Sequence, residues 1–321
     1  MPEWHERRFR AMGSHTHLVL SGTPADAAWA EAEIERLEAL WRRFLPASDV
    51  ARLNRAAGGT PAAVAPETVD LVEHAVAWWR RTQGRFDPTV LHALEDLGYD
   101  APFAEVRTRT SPRPRIASAP PGLPPLHVAT VGTAPAGLPT PGCAGIVVDR
   151  AAGTVGLPAG VGLDLGGIGK GAAADLVVQG LRARGVTSGC VGMGGDVHAV
   201  GPGNGPDGAG WAITVEDPMD PTRAWFTHVI DDGAIVTSTD RIRRWDRAGH
   251  EVHHLIDPRT GLPARTGLAA VVVAAPTCAA AEVLAKAAFV AGPDAGRALL
   301  DRFAVDAWFA TDTPARLVAA R

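Results

Sequence analysis

Two short stretches carry most of the chemistry this chain could do. The first is Gly162-Leu163-Asp164-Leu165-Gly166-Gly167-Ile168-Gly169-Lys170-Gly171, which runs from an apolar segment through a glycine turn into a helical pattern. Glycines let the backbone approach a ligand closely. Amides at the start of a helix attract anions, phosphate above all. With the positive charge of Lys170, the segment suggests a phosphate-bearing ligand; a tight strand-to-helix turn is the alternative. The second stretch is His253-His254-Leu255-Ile256-Asp257-Pro258-Arg259-Thr260-Gly261. Turn chemistry accounts for Asp-Pro-Arg-Thr-Gly, but not for a histidine three residues before the aspartate. A histidine there suits a general base or a ring stacked on an aromatic ligand. A structural histidine is the alternative.

Three weaker features accompany them. Gly192-Met193-Gly194-Gly195-Asp196 is a second glycine turn, whose Asp196 either binds a ligand or caps the turn. Ser238-Thr239-Asp240 follows the apolar run Ala234-Ile235-Val236, and Arg85-Phe86-Asp87-Pro88-Thr89 reads as a turn. Two nucleotide signatures fail. The P-loop pattern breaks at Asp164 and at Gly171. Gly203-Asn204-Gly205-Pro206-Asp207-Gly208 has dinucleotide-fingerprint letters but leads into a strand, so it reads as a surface loop.

The elements that must position these residues follow from spacing. Helices are expected over 25–45, 66–83, 172–184 and 277–290, stopped by Pro46, Gly84, Gly185 and Gly292. Strands are expected over 15–21, 146–148, 154–157, 188–200, 211–215, 226–230, 268–274 and 307–310. A Pro/Ala-rich insertion at about 101–142 reads as loop, with a short strand at 126–131. Without regular strand–helix alternation, an α+β fold with mixed or antiparallel sheets and packed helices is expected, as one domain over 1–321.

Bulk properties exclude several classes. Net charge is −4 over 321 residues, so neither nucleic acid nor an anionic membrane surface is indicated. No window is apolar for long enough to span a membrane. The N-terminus lacks an apolar core behind its charges, and Cys143, Cys190 and Cys278 are scattered. A reduced, cytoplasmic protein is the expectation.

Taken in order, the blocks Met12-Gly13, Phe86 to Thr89, Asp164 to Gly171, Gly194 to Asp196, Ser238 to Asp240 and His254 to Gly261 resemble the flavin transferase family called ApbE. Ser48 and Asn54 fit a further block of that family. The resemblance covers roughly residues 10–300. It implies an enzyme that takes FAD as substrate, lets a Thr or Ser hydroxyl of an acceptor flavoprotein attack the pyrophosphate, and releases AMP. FMN is left on the acceptor as a phosphoester. By the same resemblance, Met12, Phe44, Arg85, Phe86, Asp87, Gly195, Asp196, Ser238 and Ile256 contact FAD. Gly166, Gly167, Gly169 and Lys170 lie along the pyrophosphate. His254 takes the hydroxyl proton, with Asp257 or Asp240 orienting nearby groups. Mg²⁺ is held at Gly169, Glu282 and Ala285.

The late helix departs from the family pattern. Where relatives read Ala-Asp-Ala-Leu-Ala-Thr, this chain reads Ala281-Glu282-Val283-Leu284-Ala285-Lys286. A protonated lysine does not bind metal. Three arrangements follow: the Lys286 ammonium touches the pyrophosphate in place of the cation, Mg²⁺ binds with fewer protein ligands, or FAD binds without transfer. An FAD pyrophosphatase, with water as acceptor, is a further enzymatic reading.

Overall fold

The computed structural model describes residues 3–109 and 137–312, and the backbone of 318–320. Its centre is an eight-stranded sheet of β1 (Trp4–Ala11), β2 (Ser14–Ser21), β3 (Gly189–Met193), β4 (Asp196–Val200), β5 (Asp232–Thr239), β6 (Leu268–Ala275), β7 (Asp306–Thr311) and β8 (Val318–Ala320). Spatial order equals chain order, and every pairing is antiparallel. No connection crosses over in such a sheet, although helices and small hairpins are inserted between its strands, most of them between β2 and β3.

Five helices matter for the site: α1 (Pro24–Trp41), α2 (Asp49–Arg55), α3 (Pro66–Arg81), α4 (Gly169–Ala183) and α5 (Cys278–Ala291). Thr23 caps α1 in a reciprocal box with Asp26, and Pro24 occupies the first turn, where its missing N–H costs nothing. Thr277 caps α5, and Gly292 ends it at φ +88°. α5 is buried on nearly every side, because β5 and β6 lie under it and α4 lies beside it. α1 packs outside α4. On the opposite sheet face, a hairpin of Trp211–Asp217 and Asp220–Ile230 closes a second core with Ala199, Ile235 and Val272.

Several expectations needed adjusting. The 188–200 strand is a hairpin, because Gly194 and Gly195 both take positive φ and reverse the chain. β1 shows no clear alternation in the sequence, because four of its exposed positions, Glu6, Arg7, Arg8 and Arg10, are charged on an edge strand. α1 ends at Trp41 rather than Leu45, since Arg42 is extended and Arg43 turns toward Asp164. Helices at Leu91–Asp96 and Phe103–Arg109 are too short to show periodicity in the sequence, and the second lies inside the segment expected to be loop. The strand expected at 126–131 lies outside the described residues.

Antiparallel register brings separate sequence blocks to one end of the sheet. The β1–β2 turn, the β3–β4 turn and the end of β5 all lie there, as Thr16 pairs with Met193 and Ile235 with Val197. Met12-Gly13, Gly194-Gly195 and Ser238-Thr239-Asp240 are thereby neighbours.

Candidate active site

A cleft of about 560 Å³ opens at this end of the sheet. Its apolar wall comes from a small core of Leu94, Tyr99, Val106, Trp245, Val252 and Ile256, against which Phe44 and Phe103 pack. Tyr99 is the hub, with ring centroids 6.0 Å from Phe44, 6.1 Å from Phe103 and 5.4 Å from Trp245. Such a wall suits a flat aromatic ligand. The polar wall is the glycine loop, with Lys170, Lys286, Arg243 and His254.

Two glycines in this wall are dictated by crowding. A Cβ on Gly167 would lie 3.1 Å from the Phe86 ring and 3.2 Å from Lys286 Nζ. One on Gly171 would come within 2.6 Å of the backbone of Cys278 and Ala279, where α4 crosses the start of α5. The segment leading into the loop is fastened by Asn54, whose amide donates to Leu163 O at 2.9 Å and accepts from Leu163 N at 2.7 Å. Arg43 holds Asp164 at 2.7 Å, with both side chains nearly buried.

The loop amides are largely engaged within the protein. Gly166 N donates to Asp164, Ile168 N and Gly169 N to Leu165 O, and Gly171 N to Glu282 Oε2. Attraction for an anion therefore falls mainly to side chains. Lys170 is paired with Asp196 and, at 2.9 Å, with Glu282 Oε1. Lys286 stands 3.8 Å from the same Glu282 oxygen and donates to Gly167 O at 3.3 Å. Burial, together with the like charges of Lys170 and Arg243, pushes the Lys286 ammonium down to about 8 despite Glu282. The site thus holds surplus positive charge that an anion would relieve.

The two adjacent histidines separate cleanly. His253 is structural: its Nε2 meets Ala264 O at 3.1 Å, and its Nδ1 accepts from Leu255 N. His254 lines the cleft. Its Nδ1 is buried without a hydrogen-bond partner. Burial, then Arg243 and Lys286, hold its pKa well below the ordinary histidine value, so it is neutral at pH 7.

A family model described as the ApbE family matches residues 12–309. An FAD:protein FMN transferase of Treponema pallidum is 33% identical over 286 residues, spanning 82% of this chain and 70% of that one. The chain belongs to the ApbE family. A second relative of the same name, from Vibrio cholerae, is 26% identical across 86% of this chain and 78% of its own length. The solved apbe protein of Thermotoga maritima aligns with a TM-score of 0.81 at 27% identity, covering 99% of this chain and 97% of that one. The flavin transferase ApbE structure from Vibrio cholerae, at 22% identity, covers 100% of this chain and 98% of its own, and shares the fold at a TM-score of 0.75.

Of the residues that the ApbE resemblance singles out, the cleft gathers Met12, Phe44, Arg85, Phe86, Asp87, Gly166, Gly167, Gly169, Lys170, His254, Ile256 and Lys286. It does not gather Gly195, Ser238, Asp240, Asp257, Glu282 or Ala285. Asp196 reaches it through Lys170. Neither Asp240 nor Asp257 is hydrogen-bonded to His254. Asp240 is taken by Arg244 and Arg241, and Asp257 by Arg259, which shapes the Asp-Pro-Arg-Thr-Gly turn.

Nor do the ApbE metal positions fit Mg²⁺, which takes a near-octahedral shell of oxygens. Both Glu282 oxygens already face N–H donors, Lys170 and Lys286 crowd the place with positive charge, and no group of three or more His, Cys, Asp or Glu among the described residues could hold an ion. Several cleft residues, Arg43, Arg243, Tyr99 and Phe103 among them, are not singled out by the sequence. Arg43 follows Trp41-Arg42 at the end of a helix, and its neighbour Phe44 was the available signal.

Met12 occupies the first central position of the β1–β2 turn at φ +50°, with Gly13 at +69°. Both angles match a two-residue hairpin turn that prefers Asn-Gly. Met12→Asn should therefore stabilise the fold by about 0.5–1 kcal/mol, while removing part of the cleft wall. A lowered melting midpoint would contradict this.

Proposed function

We propose that this ApbE-family chain is an FAD:protein FMN transferase. The observation that carries this reading is the convergence, on one cleft, of an aromatic wall, a cationic glycine loop and a neutral histidine. Isoalloxazine rings suit the first, the pyrophosphate the second, and an acceptor hydroxyl the third. The hydroxyl oxygen of an acceptor Thr or Ser attacks the phosphorus on the FMN side. The bond from that phosphorus to the bridging oxygen breaks, and the oxygen leaves with AMP. His254 Nε2 takes the hydroxyl proton. What the chain contributes is mainly position and charge, as phosphoryl transfer requires.

Incubation with FAD and a peptide of the form Asp-(Gly/Ser)-x-(Thr/Ser)-(Gly/Ser)-Ala-Thr should yield AMP and a peptide heavier by one FMN less one water. Free FMN with AMP would instead make water the acceptor, and intact bound FAD would make the chain a binding protein; either overturns the transferase.

The pH profile should carry the mark of His254. Its depressed pKa keeps the base form as pH falls through 6.5. Hence kcat/KM, which reports the free enzyme, should rise about twofold as pH falls from 8 and Lys286, at about 8, becomes fully protonated, and should decline only below 6.5. An acidic limb with its midpoint at or above 6.5 would remove His254 from the role. We place the acceptor in the cytoplasm, since Cys143, Cys190 and Cys278 are all free thiols, as suits a reducing compartment. Among the described residues no helix is long and apolar enough to cross a membrane. Recovery of the native protein outside the cell would contradict the placement.

A further inference from the structure

Lys170, Asp196, Glu282 and Lys286 meet where α4 begins and α5 passes it. Lys170 is matched twice, by Asp196 and by Glu282. Lys286 is matched only in part, by an oxygen 3.8 Å away that Lys170 also uses and by one loop carbonyl at 3.3 Å. An ammonium has three donors, and Lys286 lines the cleft. It stands one helical turn after Glu282, so α5 fixes where its stem starts. Its stem and Nζ rest against Gly167, which has no side chain to displace them. The ammonium thus lies between the Glu282 carboxylate and the glycine loop. A divalent ion placed there would abut Nζ and would find a carboxylate already engaged by Lys170 and by the Gly171 amide.

We propose that Lys286 is a built-in cation of this site: its ammonium binds the FAD pyrophosphate directly, and neither binding nor transfer needs a divalent ion. The proposal rests on the flavin reading above. An ammonium is a compact point charge, suited to a phosphate oxygen, and being part of the chain it stays in place when metals are removed.

The test measures FAD affinity of the full chain by quenching of flavin fluorescence, in chelator and in excess Mg²⁺. The unmodified protein should bind FAD equally in both, and calorimetry with Mg²⁺ alone should show no binding. Lys286→Met should weaken FAD binding about ten- to a hundredfold in both media, as expected for losing a charged hydrogen bond. Lys286→Thr should show the same loss in chelator but regain affinity with Mg²⁺, because removing the ammonium frees the space beside Glu282. Circular dichroism melting identifies a variant that has not folded; Lys286→Ser, another hydroxyl, then replaces Lys286→Thr, and Lys286→Gln replaces Lys286→Met. FAD binding by the unmodified protein that vanishes in chelator and returns with Mg²⁺ would overturn the proposal and leave the flavin reading intact. So would a folded Lys286→Met that binds FAD as the unmodified protein does. Absence of FAD binding in both media would overturn both.

Discussion

His254→Ala should lower FMN transfer by about 10²–10⁴-fold while FAD stays bound, the range expected when a general base is removed. The imidazole lines the cleft, is neutral at pH 7, and has its Nδ1 buried without a partner. Since Nδ1 has no partner, the substitution breaks no hydrogen bond there, and the folded state should be little affected. The aromatic wall and the cations that hold FAD remain, and a residual rate should persist from positioning and charge alone. Single-turnover transfer followed by mass spectrometry, beside flavin quenching, separates the two effects. A transfer loss below tenfold, or a loss of FAD affinity as large as the loss of rate, would remove His254 from the proton-accepting role.

Glu282→Ala should be the most destabilising change at the site. This carboxylate is 1% exposed and joins α4 to α5. It accepts from Lys170 and from the Gly171 amide, each at 2.9 Å, and it faces Lys286. Removing one partner of a buried pair typically costs about 3–5 kcal/mol, because the remaining charge is left desolvated and unmatched. Lys170 keeps Asp196, so the lower end, about 3 kcal/mol, is expected in urea denaturation near neutral pH. Glu282→Gln retains an oxygen for the Gly171 amide and should lose less. Burial opposes ionisation of Glu282, yet Lys170 and Lys286 outweigh it and hold its carboxyl below the ordinary value of 4.5. Its folded-state pKa is depressed, so its stabilisation is present above about pH 4.5 and is lost as pH falls through the folded value. The stability gap between the natural protein and Glu282→Ala should therefore narrow on acidification. A gap that widened below pH 4.5, or a neutral-pH loss under 1 kcal/mol, would show that the carboxylate does not hold the two helices.

Much of the site was legible because its chemistry is contiguous along the chain. Gly166 to Lys170 announces a close backbone approach beside a cation, and His254 stands out against a turn that does not require it. Helix limits were readable where Thr, Pro and Gly punctuate them, as at Pro66, Thr277 and Gly292. Arg43 and Arg243 were not legible, because an arginine after a helix or in an Arg-Ile-Arg-Arg run reads as ordinary surface charge. Only the partner makes it otherwise, and for Arg43 that partner is Asp164, more than a hundred residues away. Asp240 and Asp257 show the converse. The ApbE resemblance implies that one of them orients groups near His254, whereas nearby arginines claim both carboxylates.

Residue order was thus sufficient for the α+β class, the main helices, the glycine loop and the departure at Lys286. These depend on neighbours a few positions apart, through backbone conformation, caps and helical spacing. Folding settled which charges meet, which histidine faces the cleft, and that Glu282 serves two ammonium groups. Those outcomes depend on distances of 3–4 Å between residues as far apart as Lys170 and Glu282. Ion pairing and burial act through space, and only the antiparallel meander with α5 across it brings such residues together.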